Sequence, residues 1–112
     1  MEKLNIYSTT HTLYLALKVI DEINNLRNYD QVFSDFEKTE LGECKIESFA
    51  NGELTCQYKE SIRDKKIYIF GQTGTHEIME LLLMIDAAKR SSAGKIIAVI
   101  PSYGYARQDK KE

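Results

Sequence analysis

The residues of this chain best suited to binding chemistry gather near its carboxyl end, after an apolar run that stops at Pro101. This terminal block contains two tyrosines, an arginine, a glutamine and two lysines, namely Tyr103, Tyr105, Arg107, Gln108, Lys110 and Lys111. Arginine and lysine supply positive charge for a polyphosphate, and the planar guanidinium suits bidentate contacts. The alternative interpretation is a solvated polar tail, which terminal residues usually form.

A second candidate site is the segment Phe49-Ala50-Asn51-Gly52-Glu53. A functional interpretation gives Phe49 a stacking role and lets Asn51 and Glu53 hydrogen-bond the polar edge of a heterocycle. A structural interpretation needs only the Asn-Gly pair, which is a strong signal for a hairpin turn. Without further context the structural interpretation is favoured, because Asn-Gly is sufficient reason for the turn.

A glycine-containing turn, residues 71–75 with the sequence Gly-Gln-Thr-Gly-Thr, lies between a predicted strand and a predicted helix. Backbone N–H groups and the helix dipole at such a junction can receive a phosphate. The segment matches neither G-x-G-x-x-G nor G-x-x-x-x-G-K-[ST], so a simple tight turn is the favoured interpretation.

Two histidines and two cysteines are the chain's candidate metal ligands: His11, Cys44, Cys56 and His76. Their spacing matches no zinc pattern, and both cysteines lie in strand-like runs where small half-buried residues are common. A Cys–His nucleophilic pair has no better support. We therefore expect no metal ligands in this chain.

The elements that must position these residues alternate between strand and helix. A short strand is predicted at 4–7, and a helix follows in which apolar residues recur at spacings of three and four. The residues predicted to face the sheet are Leu13, Ala16, Leu17, Ile20 and Ile23. The stretch 27–42 has no clean period and is predicted to be a partly packed connection. Two strand-like runs, 44–49 and Leu54–Tyr58, then flank the Asn-Gly pair.

Continuous apolar runs at 67–70 and 96–100 are typical of strands buried on both faces. A second helix lies between them, and Gly94 is a plausible cap at its end. One stripe of that helix is apolar through Ile78, Leu81, Leu82, Ile85 and Ala88, whereas Met79, Leu83 and Met84 make other sides apolar too. Residues 66–100 thus predict a βαβ unit with parallel strands, within an α/β domain that carries a β-hairpin. Ligands bind such sheets where the chain leaves the carboxyl ends of the strands.

Length and composition limit the alternatives. A chain of 112 residues is one small domain at most. The charged fraction is 29% and the net charge is −2, so net charge does not favour binding to nucleic acid. No apolar run reaches the roughly 18 residues of a membrane span. With only two cysteines, the expected compartment is the reducing cytoplasm.

The terminal block and the Phe49–Glu53 segment, with the βαβ unit between them, resemble the ribose-phosphate pyrophosphokinases, also called phosphoribosyl pyrophosphate synthetases. The matching runs are Phe-Ala-Asn-Gly-Glu at 49–53, Ser-Ile-Arg at 61–63, Met-Glu-Leu-Leu-Leu-Met-Ile-Asp-Ala at 79–87, Ser-Ala at 92–93, Ala-Val-Ile-Pro at 98–101 and Tyr-Ala-Arg-Gln-Asp-Lys-Lys at 105–111. The resemblance implies a phosphoribosyltransferase-like α/β domain. It also implies an enzyme that transfers the diphosphoryl group of ATP to ribose 5-phosphate with Mg²⁺, and that forms dimers assembled into hexamers.

The resemblance also implies roles for individual residues. Positions matching Arg107 and Gln108 contact ATP, and those matching Phe49, Asn51 and Glu53 complete the adenine pocket from a neighbouring subunit. A further set matches the family's regulatory phosphate or ADP site: Ser61, Arg63, Ser92 and Lys111. The ligands of Mg²⁺ and the catalytic loop match no position of this chain.

The chain also departs from the family pattern. Asn51 stands where many members carry aspartate, residues 73–77 replace an Asn-rich segment, and 27–42 is longer than usual. Residues 1–112 match an N-terminal domain only, because the metal-ligating histidine segment and the two phosphate-binding loops have no counterpart. We therefore expect half of an ATP site, oligomer contacts and no activity from this chain alone. The alternatives are a non-catalytic module that co-assembles with a full-length synthetase and, less favoured, a generic nucleotide-binding domain.

Overall fold

A computed structural model describes residues 4–29, 38–48, 50–51, 54–74 and 77–101. Within these ranges the chain forms strands and two α-helices in an alternating order. The strands are β1 (Asn5–Ser8), β2 (Cys44–Ser48), β3 (Leu54–Tyr58), β4 (Lys66–Phe70) and β5 (Lys95–Val99). The helices are α1 (Leu13–Tyr29) and α2 (Glu77–Arg90), and a short 3-10 turn over Thr10–Thr12 precedes α1. The predicted α/β class is confirmed.

Strands β1, β4 and β5 form a parallel sheet in the order β1-β4-β5. The predicted βαβ unit is therefore confirmed, with β4 in the centre of the sheet. Ile67 and Ile69 of β4 are fully buried, as the continuous apolar run predicts. The prediction that β5 is equally buried is wrong, since its residues are exposed or half-buried. Its position explains the difference, because β5 is an edge strand among the described residues.

The two helices cover opposite faces of this sheet. Ala16 and Ile20 of α1 pack with Ile6 and Phe70, whose side chains point to one face. On the other face α2 packs through Leu81, Met84 and Ala88 against a core of Tyr7, Ile67 and Ile69. The domain therefore has three layers, and β4 lies in the middle layer between the two helices. Neither helix, over the residues described, is both long and apolar enough to cross a membrane.

The apolar stripe of each helix is rotated from the prediction. In α1, Leu13 and Leu17 are 40% and 48% exposed, whereas Ala16 is fully buried. In α2, Leu82 is 52% exposed, whereas Met84 is fully buried. Both helices carry more apolar residues than one sheet face can cover, so the sequence pattern did not determine which of them face the core.

Strands β2 and β3 form the predicted hairpin, which packs on α2. They pair from Cys44–Tyr58 to Ser48–Leu54, which leaves residues 49–53 as the connection. This connection is longer than the two-residue turn that an Asn-Gly pair typically closes. The hydroxyl of Tyr58 donates a hydrogen bond of 2.7 Å to the carbonyl of Met84, and the Tyr58 ring meets the Tyr7 ring edge-on with centroids 4.8 Å apart. These contacts join the hairpin to both α2 and the sheet.

The connection between α1 and β2 is packed at its described end, residues 38–43. The side-chain amide of Asn24 accepts a hydrogen bond from the Thr39 N–H and donates one to the Thr39 carbonyl, both at 2.9 Å. The N–H of Gly42 donates to the carbonyl of Ile6 at 2.8 Å. A Cβ at Gly42 would overlap the ring of Tyr7, so this close approach requires glycine. A partly packed connection is thus confirmed for 38–42, although α1 continues to Tyr29, beyond its predicted end.

Candidate functional site

Strands β1, β4 and β5 end together, so the loops that follow them begin at one edge of the sheet. The N–H of Thr9 donates to the carbonyl of Phe70 at 2.9 Å, and the N–H of Gly71 donates to the carbonyl of Val99 at 3.0 Å. This is the edge at which open parallel sheets bind ligands. Pro101 also follows β5 here, whereas residues 102–112, including Arg107, Gln108 and Lys111, lie outside the described residues.

Two carboxylates occupy the N-terminal turn of α2 at this edge. The Glu80 carboxylate accepts hydrogen bonds from the Thr10 N–H at 2.5 Å and from the Thr10 hydroxyl at 3.1 Å. The Glu77 carboxylate lies 3.9 Å from Nε2 of His11. Acidic side chains are stabilised by the positive end of a helix dipole and repel a phosphate from the same place. The structure therefore favours a tight turn over a phosphate site at the described residues 71–74.

The glycine that opens this turn has a packing role. Gly71 is buried, and a Cβ on it would lie 2.8 Å from Cδ1 of Leu81. Glycine at this position lets α2 approach the end of β4 closely. This requirement accounts for Gly71 without a bound ligand.

One of the five predicted adenine-binding residues, Asn51, lies in the described part of the connection between β2 and β3. Asn51 is exposed in the described turn at residues 50–51. Phe49 and Glu53 lie outside the described residues, as do Arg107 and Gln108. The composite ATP site therefore stays a prediction, with only Asn51 placed by the structure.

Three of the four predicted regulatory residues, Ser61, Arg63 and Ser92, lie at the opposite, amino edge of the sheet. Backbone contacts hold residues 61–65 beside 91–94: Arg63 forms a β-bridge with Ala93, and the Asp64 N–H donates to the Ser92 carbonyl at 2.8 Å. The structure thus brings the backbone of Arg63 close to that of Ser92, although these residues are 29 positions apart. Ser61, Arg63 and Ser92 are all exposed. The fourth predicted member, Lys111, is not described.

The loop that carries Ser92 has a specific backbone conformation. Ser92 has φ 64° and follows the last turn of α2, where its N–H donates to the Lys89 carbonyl and the Ala93 N–H to the Ala88 carbonyl, both at 3.1 Å. This pair of hydrogen bonds is a Schellman motif, in which glycine usually takes the left-handed position. The prediction of Gly94 as the helix cap is therefore wrong. Gly94 instead allows close contact with the backbone of Asp64, because a Cβ would lie 2.8 Å from the Asp64 carbonyl oxygen.

A cavity of ≈ 820 Å³ lies between β3 and the end of α2, next to this loop. Ser61, Cys56 and Arg90 are among the residues that line it. The Arg90 guanidinium lies 3.0 Å from the Asp86 carboxylate. The sequence does not indicate that Arg90 lies near Ser61, because the two residues line one cavity only after the hairpin packs on α2.

The described residues offer no protein-held site for Mg²⁺. This ion prefers several oxygen ligands in octahedral geometry. Within the described ranges no group of three or more histidine, cysteine, aspartate or glutamate side chains could hold a metal ion. Of the four candidate ligands, the three that the structure describes do not form a cluster, since His11 contacts Glu77 whereas Cys44 and Cys56 lie on the hairpin. His76 lies outside the described residues.

Comparison with known proteins identifies what this arrangement resembles. A family model described as the N-terminal domain of ribose phosphate pyrophosphokinase matches residues 4–112. A ribose-phosphate pyrophosphokinase of Porphyromonas gingivalis is 41% identical over 110 residues, which are 96% of this chain and 31% of that protein. The corresponding protein of Chlorobaculum tepidum is 53% identical over 76 residues, 66% of this chain and 24% of that protein.

A solved structure with a similar fold comes from a protein of the same kind. The crystal structure of phosphoribosylpyrophosphate synthetase from Mycobacterium smegmatis superposes with a TM-score of 0.73 at 30% sequence identity. The superposition covers 99% of this chain and 33% of that one. The predicted phosphoribosyltransferase-like fold is confirmed, and the matched regions are 24% to 33% of the length of these relatives.

Proposed function

Because this chain belongs to the ribose-phosphate pyrophosphokinase family, we propose that it is the N-terminal part of an ATP:ribose-5-phosphate diphosphotransferase. This enzyme makes phosphoribosyl pyrophosphate (PRPP) for nucleotide synthesis, and we place it in the cytoplasm. The observation that carries the proposal is the family match over residues 4–112, which includes the hairpin segment and the terminal block together. ATP, Mg²⁺ and ribose 5-phosphate are its proposed substrates and cofactor.

The proposed role of this chain is to hold the adenine end of ATP in a site shared by two subunits. Arg107 and Gln108 of one subunit contact the nucleotide, and Phe49, Asn51 and Glu53 of its neighbour close the pocket. The exposure of Asn51 supports this role, since a hairpin residue that serves another subunit must face outward. The site is then complete only in an oligomer.

The chemistry required of these residues is binding and positioning. Diphosphoryl transfer depends on the placement of the reacting groups and the neutralisation of charge more than on covalent help from the protein. Stacking on Phe49 contributes on the order of 1 kcal/mol, and one charge-assisted contact from Arg107 contributes about 1.5–3 kcal/mol. After the entropic cost of association, the expected affinity of the 112-residue chain for ATP is on the order of millimolar.

A second proposed site, for phosphate or ADP, uses Ser61, Arg63, Ser92 and Lys111. The backbone pairing of 61–65 with 91–94 supports it, because this pairing keeps two serines and an arginine in one exposed region. A bound anion there would be regulatory, since the region lies at the sheet edge opposite the end of β5.

Titration with ATP, followed by amide chemical shifts, tests the adenine site. Shifts are expected near Phe49 and Arg107, and F49A and R107A should each weaken binding. A mixture of the two variants should recover part of the binding, because some composite sites then contain both native halves. Tyr14 is 75% exposed on α1, so Y14F is the matched control and should bind like the native chain. Shifts confined to residues 71–75 would instead indicate a phosphate-binding turn and contradict the site.

An activity assay tests the expectation that this chain alone is inactive. The purified 112-residue chain, supplied with ATP, Mg²⁺ and ribose 5-phosphate, should make no PRPP, because the family's catalytic loop and metal ligands match none of its residues. Turnover above the no-protein level that R107A abolishes would overturn this expectation.

A non-catalytic module that co-assembles with a full-length synthetase is the alternative, and exposed apolar side chains favour an interaction role in either case. Leu17 of α1 is 48% exposed, and Met79 and Leu82 of α2 are 53% and 52% exposed. Sedimentation should show self-association of the chain. A stable monomer at a protein concentration of roughly tens of micromolar would count against it. A change in the rate of a full-length synthetase upon mixing would favour the module.

A further inference from the structure

Cys44 and Cys56 lie next to each other across the hairpin, on the face that packs against α2. In the strand register Cys44 is opposite Tyr58 and Cys56 is opposite Ile46, so the cysteines are diagonal neighbours. All four side chains are partly buried against the core cluster of Tyr7, Leu81 and Met84. Side chains two positions apart along a strand share a face, so the two thiols point to the same side.

Neither cysteine is part of a disulfide. Hydrogen bonding with the Cys44 thiol lowers the pKa of Cys56, with burial and the charge of Glu80 acting against it and Arg90 acting with it. The same hydrogen bond, together with burial, raises the pKa of Cys44. Cys56 is therefore the cysteine whose surroundings favour the thiolate.

Both sulfur-bearing residues can be reached from outside the protein. Cys56 lines the ≈ 820 Å³ cavity that also contains Arg90. Cys44 lines a different cavity, of ≈ 750 Å³, beside Thr10 and Lys45. Cavities of this size admit small organic molecules. A lowered thiol pKa, as at Cys56, and an open route are the conditions under which a thiol reacts.

We propose that Cys44 and Cys56 form a redox-active dithiol that low-molecular-weight disulfides convert into a cross-strand disulfide. The Cys56 thiolate attacks one sulfur of the small disulfide, its S–S bond breaks, and the departing thiolate takes up the proton that Cys56 has lost. Cys44 then loses its proton and attacks Sγ of Cys56, which expels the second small thiol. The protein loses two hydrogens, and the small disulfide is reduced to two thiols.

The diagonal register determines how this disulfide behaves. Diagonal neighbours have Cα atoms about 7–8 Å apart, whereas disulfides usually join Cα atoms about 4.4–6.8 Å apart. The strands must therefore move closer before the bond can form, and the resulting disulfide is readily reduced. Because Tyr58 lies opposite Cys44, the movement also changes its contacts with Met84 and Tyr7.

Peptide mapping after exposure of the native chain to glutathione disulfide tests the proposal. Trypsin cleaves after Lys38, Lys45 and Lys59, so the two cysteines fall in separate peptides, 39–45 and 46–59. After free thiols are blocked with iodoacetamide, the two peptides should be found linked. A reducing agent added before digestion should separate them.

Single substitutions provide matched controls. C44S and C56S should each stop at one glutathione adduct, since neither retains a second thiol to expel it. The adduct should form several-fold faster in C44S, whose serine hydroxyl can still donate to Cys56, than in C56S. Equal rates in the two variants would overturn the assignment of Cys56 as the attacking thiol.

Other outcomes of the wild-type experiment overturn the dithiol itself. Two glutathione adducts on one chain without the linked peptide would show that the cysteines react independently. A link between two chains, detected as a dimer without reducing agent, would show that the fold does not pair them. In concentrated urea the ratio of linked peptide to adduct should fall several-fold, because only the folded hairpin holds the thiols together.

Discussion

The parallel sheet and the hairpin differ in how deeply their side chains are buried. Ile67 and Ile69 of β4 are fully enclosed between two helices, whereas β2 and β3 contribute only partly buried side chains on one face. The sheet is therefore the more deeply enclosed part of the domain, and the hairpin is held through the one face that packs on α2 and the core. Segments with few buried contacts open at lower free energy than the core. The proposed adenine-binding loop and both cysteines lie on the hairpin, the part whose position is more easily changed.

The contact between the two regions is concentrated at two tyrosines. Tyr7 belongs to the sheet and is 2% exposed, and its ring meets that of Tyr58 on the hairpin. Tyr58 also reaches α2 through its hydrogen bond to Met84. These residues allow the sheet, the hairpin and their junction to be perturbed separately.

The largest expected effect comes from truncating isoleucines in the two regions. I69A should lower the free energy of unfolding by about 2–5 kcal/mol, because it leaves a cavity in the enclosed core. I46A should cost less, about 1–2 kcal/mol, because Ile46 is already partly hydrated. Urea unfolding measures both values. Equal losses would contradict the difference between sheet and hairpin.

Alkaline pH should destabilise the junction through Tyr7. Burial above all, with the charge of Glu60 and Cys44 adding to it, raises the pKa of Tyr7 to about 12. An unfolded tyrosine loses its proton near pH 10, whereas Tyr7 in the folded protein keeps its proton to higher pH. The free energy of unfolding therefore does not depend on Tyr7 ionisation below about pH 10, and it decreases between about pH 10 and pH 12. At pH 11 the loss is about 1.4 kcal/mol. In Y7F the decrease between pH 9 and pH 11 should be smaller by this amount, and an unchanged decrease would exclude Tyr7 as its source.

Removing the hydrogen bond between the hairpin and α2 should have a moderate effect. Y58F deletes the donor to the Met84 carbonyl while keeping the ring against Tyr7, so we expect a loss of about 0.5–1.5 kcal/mol. Y14F removes a hydroxyl from an exposed ring and is the matched control. Hydrogen exchange should increase in β2 and β3 but not in β4. An increase of the same size in β4 would show that the hairpin and the sheet open together.

The smallest effect is expected from the ion pairs on the hairpin surface. The Lys45 ammonium lies 3.2 Å from the Glu47 carboxylate, with side chains 71% and 50% exposed. Pairs this exposed contribute little, so K45A should change the free energy of unfolding by about 0.5 kcal/mol or less. A change larger than that of Y58F would mean that surface charge, not packing, holds the hairpin.

For some residues the sequence predicts the correct strand or helix but the wrong degree of burial. The apolar runs of β4 and β5 look alike, yet only β4 is enclosed, because it alone among the described strands pairs with another strand on each side. In α2 the sequence pattern favoured Leu82 for the core, whereas Met84 is buried there. An apolar residue is compatible with either position, and the order of strands and the docking of the hairpin decide between them.

The sequence by itself determined the order of strands and helices, the hairpin and the family, because periodicity, turn residues and motifs are local properties of the chain. Tertiary structure alone decided which residues became neighbours. It brought Arg63 beside Ala93, Thr10 beside Glu80 and Cys44 beside Cys56. Such contacts depend on strand register and on which helix face packs inward. These are set by the packing of the whole core, and no short segment of sequence contains that information.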